Sequence, residues 1–300
     1  EEEVRIPAYG FSYALYNVFP YIVQGYIMRF VSLFTESEIA LLYTARLVNV
    51  TFGLLMAVVV YFIGKRVFQD DRFRWLFCFA VTYLPEGLFM HTYVNTDSCC
   101  MLSTAMMVYA LICVYRDGIN VRNSLWMSGG IILCALSYYN AYGYILCSAI
   151  IYCLSNWIKK IDFKTFLKKG LAIVGIVFII AGWWFIRNFI IYDGDIFGIS
   201  VSREYAEQYA VDWLKPSNRQ TPNNLKWSLK TMIFEKKWYK DIIDSFIGLF
   251  GNMNVRMDRR LYRAYKTVFA FGFFGLIVKA IHNIIKKIID KFKTKKVLLT

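Results

Sequence analysis

Seven stretches of this chain are apolar for close to the length that crosses a bilayer, and that repetition limits the fold more than any single motif. The hydrocarbon layer is about 30 Å thick and a helix rises about 1.5 Å per residue, so a spanning helix needs about 20 predominantly apolar residues. Windows of that kind run from Ile39 to Gly64, Arg74 to Tyr93, Ser98 to Tyr115, Leu125 to Tyr139, Tyr142 to Ile158, Gly170 to Ile186 and Ala264 to Ile285, the fourth and fifth being short. The chain is 58% hydrophobic, above the roughly 45–50% of soluble domains. The expected fold class is therefore all-α, a polytopic transmembrane helical bundle with about seven transmembrane helices plus amphipathic helices on its outer face. Its abundant aromatic residues suit anchoring at the headgroup level.

Charge sorts the connections. Lys65 to Arg74 carries four Lys or Arg, Arg116 and Arg122 make two, Lys159 to Lys169 carries five, and Lys279 to Lys296 carries seven. The short turns Val94 to Asp97 and Asn140 to Ala141 carry none. Short cation-rich connections stay on the cytoplasmic side, so the alternation predicts a multi-pass protein with the basic loops and tail inside. The organisation that follows is outer-face surface helices over 1–38, a six-helix membrane core over 39–186, an extracytoplasmic loop over 187–263, and a last membrane helix with a basic cytoplasmic tail over 264–300. Phe11 to Phe34 contains Pro20 and Arg29 and reads as surface helices rather than a span. In the long loop, Thr221-Pro222 is a helix-start signal. The run through Trp227, Trp238 and Phe250 reads as one amphipathic helix on the membrane surface, stopped by Gly251. The start Glu1-Glu2-Glu3, exported without a visible signal, predicts a preceding transmembrane helix, and apolar Val297 to Thr300 predicts a further helix beyond.

The net charge of +14 is explained by orientation, and with no recognition motif present nucleic acid is excluded as a partner. Cys78, Cys99, Cys100, Cys113, Cys134, Cys147 and Cys153 fall in apolar segments without ligand spacing, and His91 and His282 stand apart. They predict no metal site and no cofactor, although a need for a divalent metal stays open.

Ionisable groups at membrane depth cost about 3 kcal/mol upward, which makes each a candidate for function. Arg46 and Asn49 share a face near the outer end of the first span. Arg46 either snorkels to the interface or meets phosphate oxygens, which its planar fork matches. Glu86 follows Pro85 in an apolar run and needs a partner, for which Arg46 or Arg187 would serve. Asn95 and Asp97 mark the outer turn, where Asp97 either caps the next helix or does chemistry. The sixth span ends Trp183-Trp184-Phe185-Ile186-Arg187-Asn188, followed by Asp193-Gly194-Asp195. By topology, Arg46, Glu86, Asp97, Arg187 and Asp195 gather at one outer-leaflet mouth suited to an anionic, lipid-linked substrate.

Several of these motifs, in this order, resemble DUF2142, a family of bacterial polytopic membrane proteins similar to GT-C glycosyltransferases. They are Arg46-Leu47-Val48-Asn49, Leu84-Pro85 with Asn95-Thr96-Asp97, Trp183 to Asn188 with Gly194-Asp195, and Ser245-Phe246 with Phe250-Gly251 and Tyr262. The resemblance implies an enzyme of the bacterial plasma membrane. Such an enzyme moves a sugar from a polyprenyl-phosphate carrier to a glycan, lipid or protein acceptor of the cell envelope, on the outer face. In GT-C enzymes the acceptor base sits on a first outer loop that would precede Glu1, and Glu1 to Glu3 form no Asp-Glu or Asp-Asp motif. Among the residues present, Asp97 and Glu86 are the catalytic candidates, and Arg46, Asn49, Asn95, Arg187, Asn188 and Asp195 the substrate-binding ones. The competing readings are a lipid-linked saccharide transporter or flippase and a non-catalytic membrane partner.

Overall fold

The computed structural model describes residues 19–251 and 253–297, with side chains described up to 286. The expectations placed on 1–18 and 298–300 lie outside that range. Apart from one two-stranded ribbon, the regular structure among the described residues is helical, and the chain divides into two compact units, Glu1–Lys237 and Trp238–Thr300.

The first unit contains α1 (Phe19–Val31), α2 (Glu38–Val67), α3 (Asp71–Thr82), α4 (Pro85–Met90), α5 (Asp97–Asp117), α6 (Val121–Ala135), α7 (Tyr142–Ile158), α8 (Phe163–Ile191) and α9 (Ile199–Tyr209). Polar caps start the long helices. Ser37 receives the Ala40 amide at 3.4 Å, Asp70 that of Arg72 at 2.7 Å, Asn120 that of Asn123 at 2.9 Å, and Asp162 that of Thr165 at 3.0 Å. Each satisfies an amide that has no partner within its own helix.

Helix α5 is central, with α2, α6 and α7 packed against it. Because α3 and α4 together reverse the chain, α2 and α5 run parallel: Asn49 meets the Asn95–Ser98 segment at one end, and Arg66 meets Asp117 at the other. Helix α6 returns antiparallel to α5, with Trp126 edge-on to Tyr109 at 5.1 Å. Their approach depends on Gly130, where a Cβ would stand 2.8 Å from Met107 Cγ and 3.0 Å from the Ser103 carbonyl oxygen. Outside this interior the helices present apolar side chains: Leu171, Val174, Phe178, Ile179 and Ile186 of α8 are all exposed. A helix that shows such a surface outward is suited to lipid.

Among the described residues five helices are long and apolar enough to cross a membrane: Glu38–Val67, Asp97–Asp117, Tyr139–Ile158, Phe163–Ile191 and Arg259–Lys286. The expected span from Arg74 to Tyr93 is corrected to two helices. Pro85 forces Leu84 into an extended conformation (ψ 123°), ends the preceding helix, and then opens α4 from its first position. The expected span from Leu125 to Tyr139 is a helix of 15 residues, about 22 Å long. Of the Phe11 to Phe34 segment, the described part holds a helix of 13 residues, Phe19–Val31, with Pro20 at its second position.

The second unit holds α10 (Trp238–Gly248), a ribbon of β1 (Leu249–Phe250) and β2 (Val255–Arg256), and α11 (Arg259–Val297). Phe246 packs on Phe269 at 5.8 Å, Lys266 pairs with Asp244 at 2.5 Å, and the Tyr262 hydroxyl donates to the Gly248 carbonyl. The single amphipathic helix expected between Thr221 and Gly251 is corrected. Thr221 opens only a turn, and Lys226 and Lys237 take left-handed conformations (φ 52° and 51°) that interrupt helical winding. What forms instead is a π-helical turn over Thr231–Glu235 and α10 over Trp238–Gly248, with Trp238, Tyr239, Ile242, Ile243 and Phe246 exposed along α10. Gly251 serves the ribbon turn (φ 65°) rather than a helix end.

Candidate functional site

The end of the first unit where α2 and α5 begin and α6 and α8 finish carries every candidate residue named from the sequence. Contacts connect it across. Trp184 of α8 clusters with Leu136 after α6, whose carbonyl receives the Phe19 amide of α1, and Gln24 of α1 then reaches Asn49 and Asn95.

Asn49 is fully buried. Its amide donates to the Tyr93 carbonyl and, at 3.3 Å, to that of Asn95, while its side-chain oxygen accepts from Gln24 at 2.8 Å. The Asn95 amide donates to the Met90 and Tyr93 carbonyls, and its Oδ1 accepts the Ser98 amide at 3.0 Å. The capping role open to Asp97 is thus performed by Asn95, while Thr96 holds the N-cap position without a side-chain bond. Ser98 donates from Oγ to the Asn49 carbonyl at 2.8 Å, and its Oγ stands 2.6 Å from His91 Nδ1. These side chains fasten the turn between α4 and α5 to α1 and α2. Gln24, His91 and Ser98, absent from the sequence-based candidates, are full members. The signal for Gln24 was a lone amide in an aromatic, apolar segment, which must bury a polar group beside a partner.

At the end of α8, Asn188 is also fully buried. It accepts from Arg187 Nη1 at 2.8 Å and donates to the Ile196 carbonyl at 3.1 Å. Asp195 Oδ2 receives the Ser200 and Val201 amides at 2.7 and 3.1 Å and so starts α9. Gly194, at φ 94°, makes the turn that lets it do so. Arg187 stacks on Trp184 and Tyr192, 5.0 and 5.4 Å from their ring centres.

Three charged side chains at this end, Arg46, Asp97 and Arg187, are only partly buried. Arg46 lies 5.8 Å from the Tyr43 ring centre, with its Nε buried and unbonded. Asp97 is half-buried at the first position of α5. Neither Arg46, Asp97 nor Arg187 forms an ion pair among the described residues. Glu86 is half-buried in the first turn of α4. Just beyond Arg187 opens a groove of about 900 Å³ lined by Tyr192, Asp193, Asp195, Glu204, Tyr205 and Gln208, among others. Its tyrosine rings and carboxylate acceptors are the groups that hold a polyhydroxylated ligand. Of these Asp193 and Asp195 were singled out from the sequence, and Glu204, Tyr205 and Gln208 were not, because α9 is what brings them to the end of α8.

The fold and this site define a helical protein of membrane-spanning composition whose cations, Asp97 and polar groove sit at one end of a bundle. Comparison with protein-family models, with curated proteins and with solved structures gives no match.

Proposed function

We propose that this protein is an integral membrane glycosyltransferase of the GT-C kind, which moves a sugar from a polyprenyl-phosphate donor to an envelope acceptor. The observation that carries the reading is the pairing, at one bundle end, of Arg46 and Arg187, cations without carboxylate partners, with a polar groove directly beyond Arg187. A lipid-linked sugar has the complementary halves: an anionic phosphate at the membrane surface and hydroxyls projecting from it. In the transfer, an acceptor hydroxyl oxygen bonds to the anomeric carbon as the bond from that carbon to the phosphate oxygen breaks. The electron pair leaves with the lipid phosphate, where Arg46 and Arg187 stabilise the charge. The hydroxyl proton goes to a base, a role for which Asp97 is the available carboxylate. Asp195 supports α9, and Glu204 and Tyr205 orient the saccharide.

The test is turnover of a radiolabelled polyprenyl-phosphate sugar by the purified protein, read as glycosylated product and free lipid phosphate. Asp97→Asn and Arg187→Gln abolish transfer while the protein still folds, and Glu204→Gln raises the acceptor KM. A folded protein that releases no lipid phosphate but moves the labelled lipid between leaflets overturns the enzyme reading in favour of a flippase.

A further inference from the structure

The opposite end of the same unit holds a second cavity. It has a volume of about 410 Å³ and is lined by Phe62, Lys65 and Arg66 of α2, Tyr109 and Arg116 of α5, and Arg122 of α6. Arg66 is committed to Asp117, with Nη1 2.8 Å from Oδ2. Lys65, Arg116 and Arg122 have no carboxylate partner among the described residues. At the same end Lys159 and Lys169 donate instead to the Val114 and Ile119 carbonyls, at and just beyond the end of α5. Four cations against one carboxylate therefore converge on a single cavity from three helices.

Arg122 also lines a neighbouring groove of about 580 Å³, whose other walls are Met106, Val121, Leu125 and Trp126. The Tyr109–Trp126 ring pair stands where the two meet. A basic chamber continuous with an apolar channel along α5 and α6 is complementary to a molecule with an anionic head and a hydrocarbon tail. We propose that this end of the bundle binds one anionic phospholipid, its phosphate among Lys65, Arg66, Arg116 and Arg122 and an acyl chain along Met106, Leu125 and Trp126. Basic pockets between membrane helices hold lipid headgroups by the same electrostatics, and Arg122, in the first turn of α6, lines the chamber. The site is independent of the sugar-transfer reading.

The test is native mass spectrometry of the purified protein titrated with phosphatidylglycerol, with phosphatidylcholine of the same acyl chains, and with inorganic phosphate. One phosphatidylglycerol is expected to bind in preference to the choline lipid, whose own cation opposes the chamber. Replacing two of the four cations, in Arg116→Gln/Arg122→Gln, should weaken it roughly thirtyfold. Lys164→Gln/Lys168→Gln, which removes the same charge from exposed positions at the same end, should leave binding unchanged. Equal retention of the two lipids, an equal loss in the Lys164/Lys168 variant, or inorganic phosphate binding as tightly as the lipid each overturns the proposal. Unaltered thermal unfolding of the Arg116/Arg122 variant separates loss of the site from loss of the fold.

Discussion

Gly53 and His91 are in steric register: a Cβ at position 53 would stand 2.7 Å from His91 Cγ and 2.9 Å from Cδ2. The ring cannot retreat, because its Nδ1 is engaged by Ser98, which is itself bonded to the Asn49 carbonyl. Gly53→Ala should therefore destabilise the protein by about 1–3 kcal/mol through overpacking. In thermal unfolding the double variant Gly53→Ala/His91→Ala should lose less than the sum of the two single changes. Strict additivity would show that the ring does not enforce the glycine.

Asn49 bonds three groups at once, so Asn49→Leu keeps the branched shape but leaves the Tyr93 carbonyl with Asn95 alone, and the Asn95 carbonyl and the Gln24 amide with only each other. The expected loss is about 1.5–4.5 kcal/mol, three hydrogen bonds at about 0.5–1.5 each. Cys99, Cys113 and Cys134 are buried to 1% exposure or less and provide the readout. Their reaction with a thiol dye should begin at a markedly lower temperature in the variant. An unchanged onset would remove Asn49 as the fastening of this turn.

Arg66–Asp117 and Asn49–Asn95 mark opposite ends of the parallel α2–α5 pair. Cysteines introduced at Thr92 and Asp193 should consequently react with an impermeant maleimide from one side of the membrane, and cysteines at Gln69 and Asp162 from the other. Labelling of Thr92 and Asp193 from different sides would separate Asp97 from Arg187 and remove the proposed reaction site.

Glu207 accepts from both the hydroxyl and the amide of Ser217, the amide at 3.0 Å. The hydroxyl bond, then the amide bond, holds its carboxyl below the ordinary glutamate range. A depressed folded-state pKa means the contact contributes stability above the unfolded value of about 4.3, and that contribution is lost as pH falls through the folded value. Carboxyl NMR titration should place Glu207 below the other exposed glutamates, and Ser217→Ala, which removes the hydroxyl and keeps the amide, should raise it part of the way toward them. A Glu207 titration unaffected by Ser217→Ala would contradict the assignment.

The break at Leu84 was legible in Pro85, whose ring constrains the residue before it, but an unbroken apolar window outweighed it in the reading of a span. The interruptions at Lys226 and Lys237 carried no such mark. Lysine has no preference for left-handed backbone, and those angles come from the path the connection must follow.

Helix, length and the sorting of cations to one end are properties of consecutive residues. A run of about 20 apolar side chains and a cluster of lysines act through transfer free energy and local charge, so the sequence alone determined an all-α chain with helices of bilayer length and its charged candidates at one end. Which polar groups are consumed in holding the fold is decided by partners far apart in the chain. Gln24 meets Asn49 across 25 positions and Asn95 across 71. Only the tertiary structure could commit Asn49, Asn95 and Asn188 to loops, leave Arg46, Asp97 and Arg187 without ion pairs among the described residues, and draw Lys65, Arg66, Arg116 and Arg122 around one cavity. Hydrogen-bond satisfaction and charge convergence depend on distance in space, which sequence separation does not set.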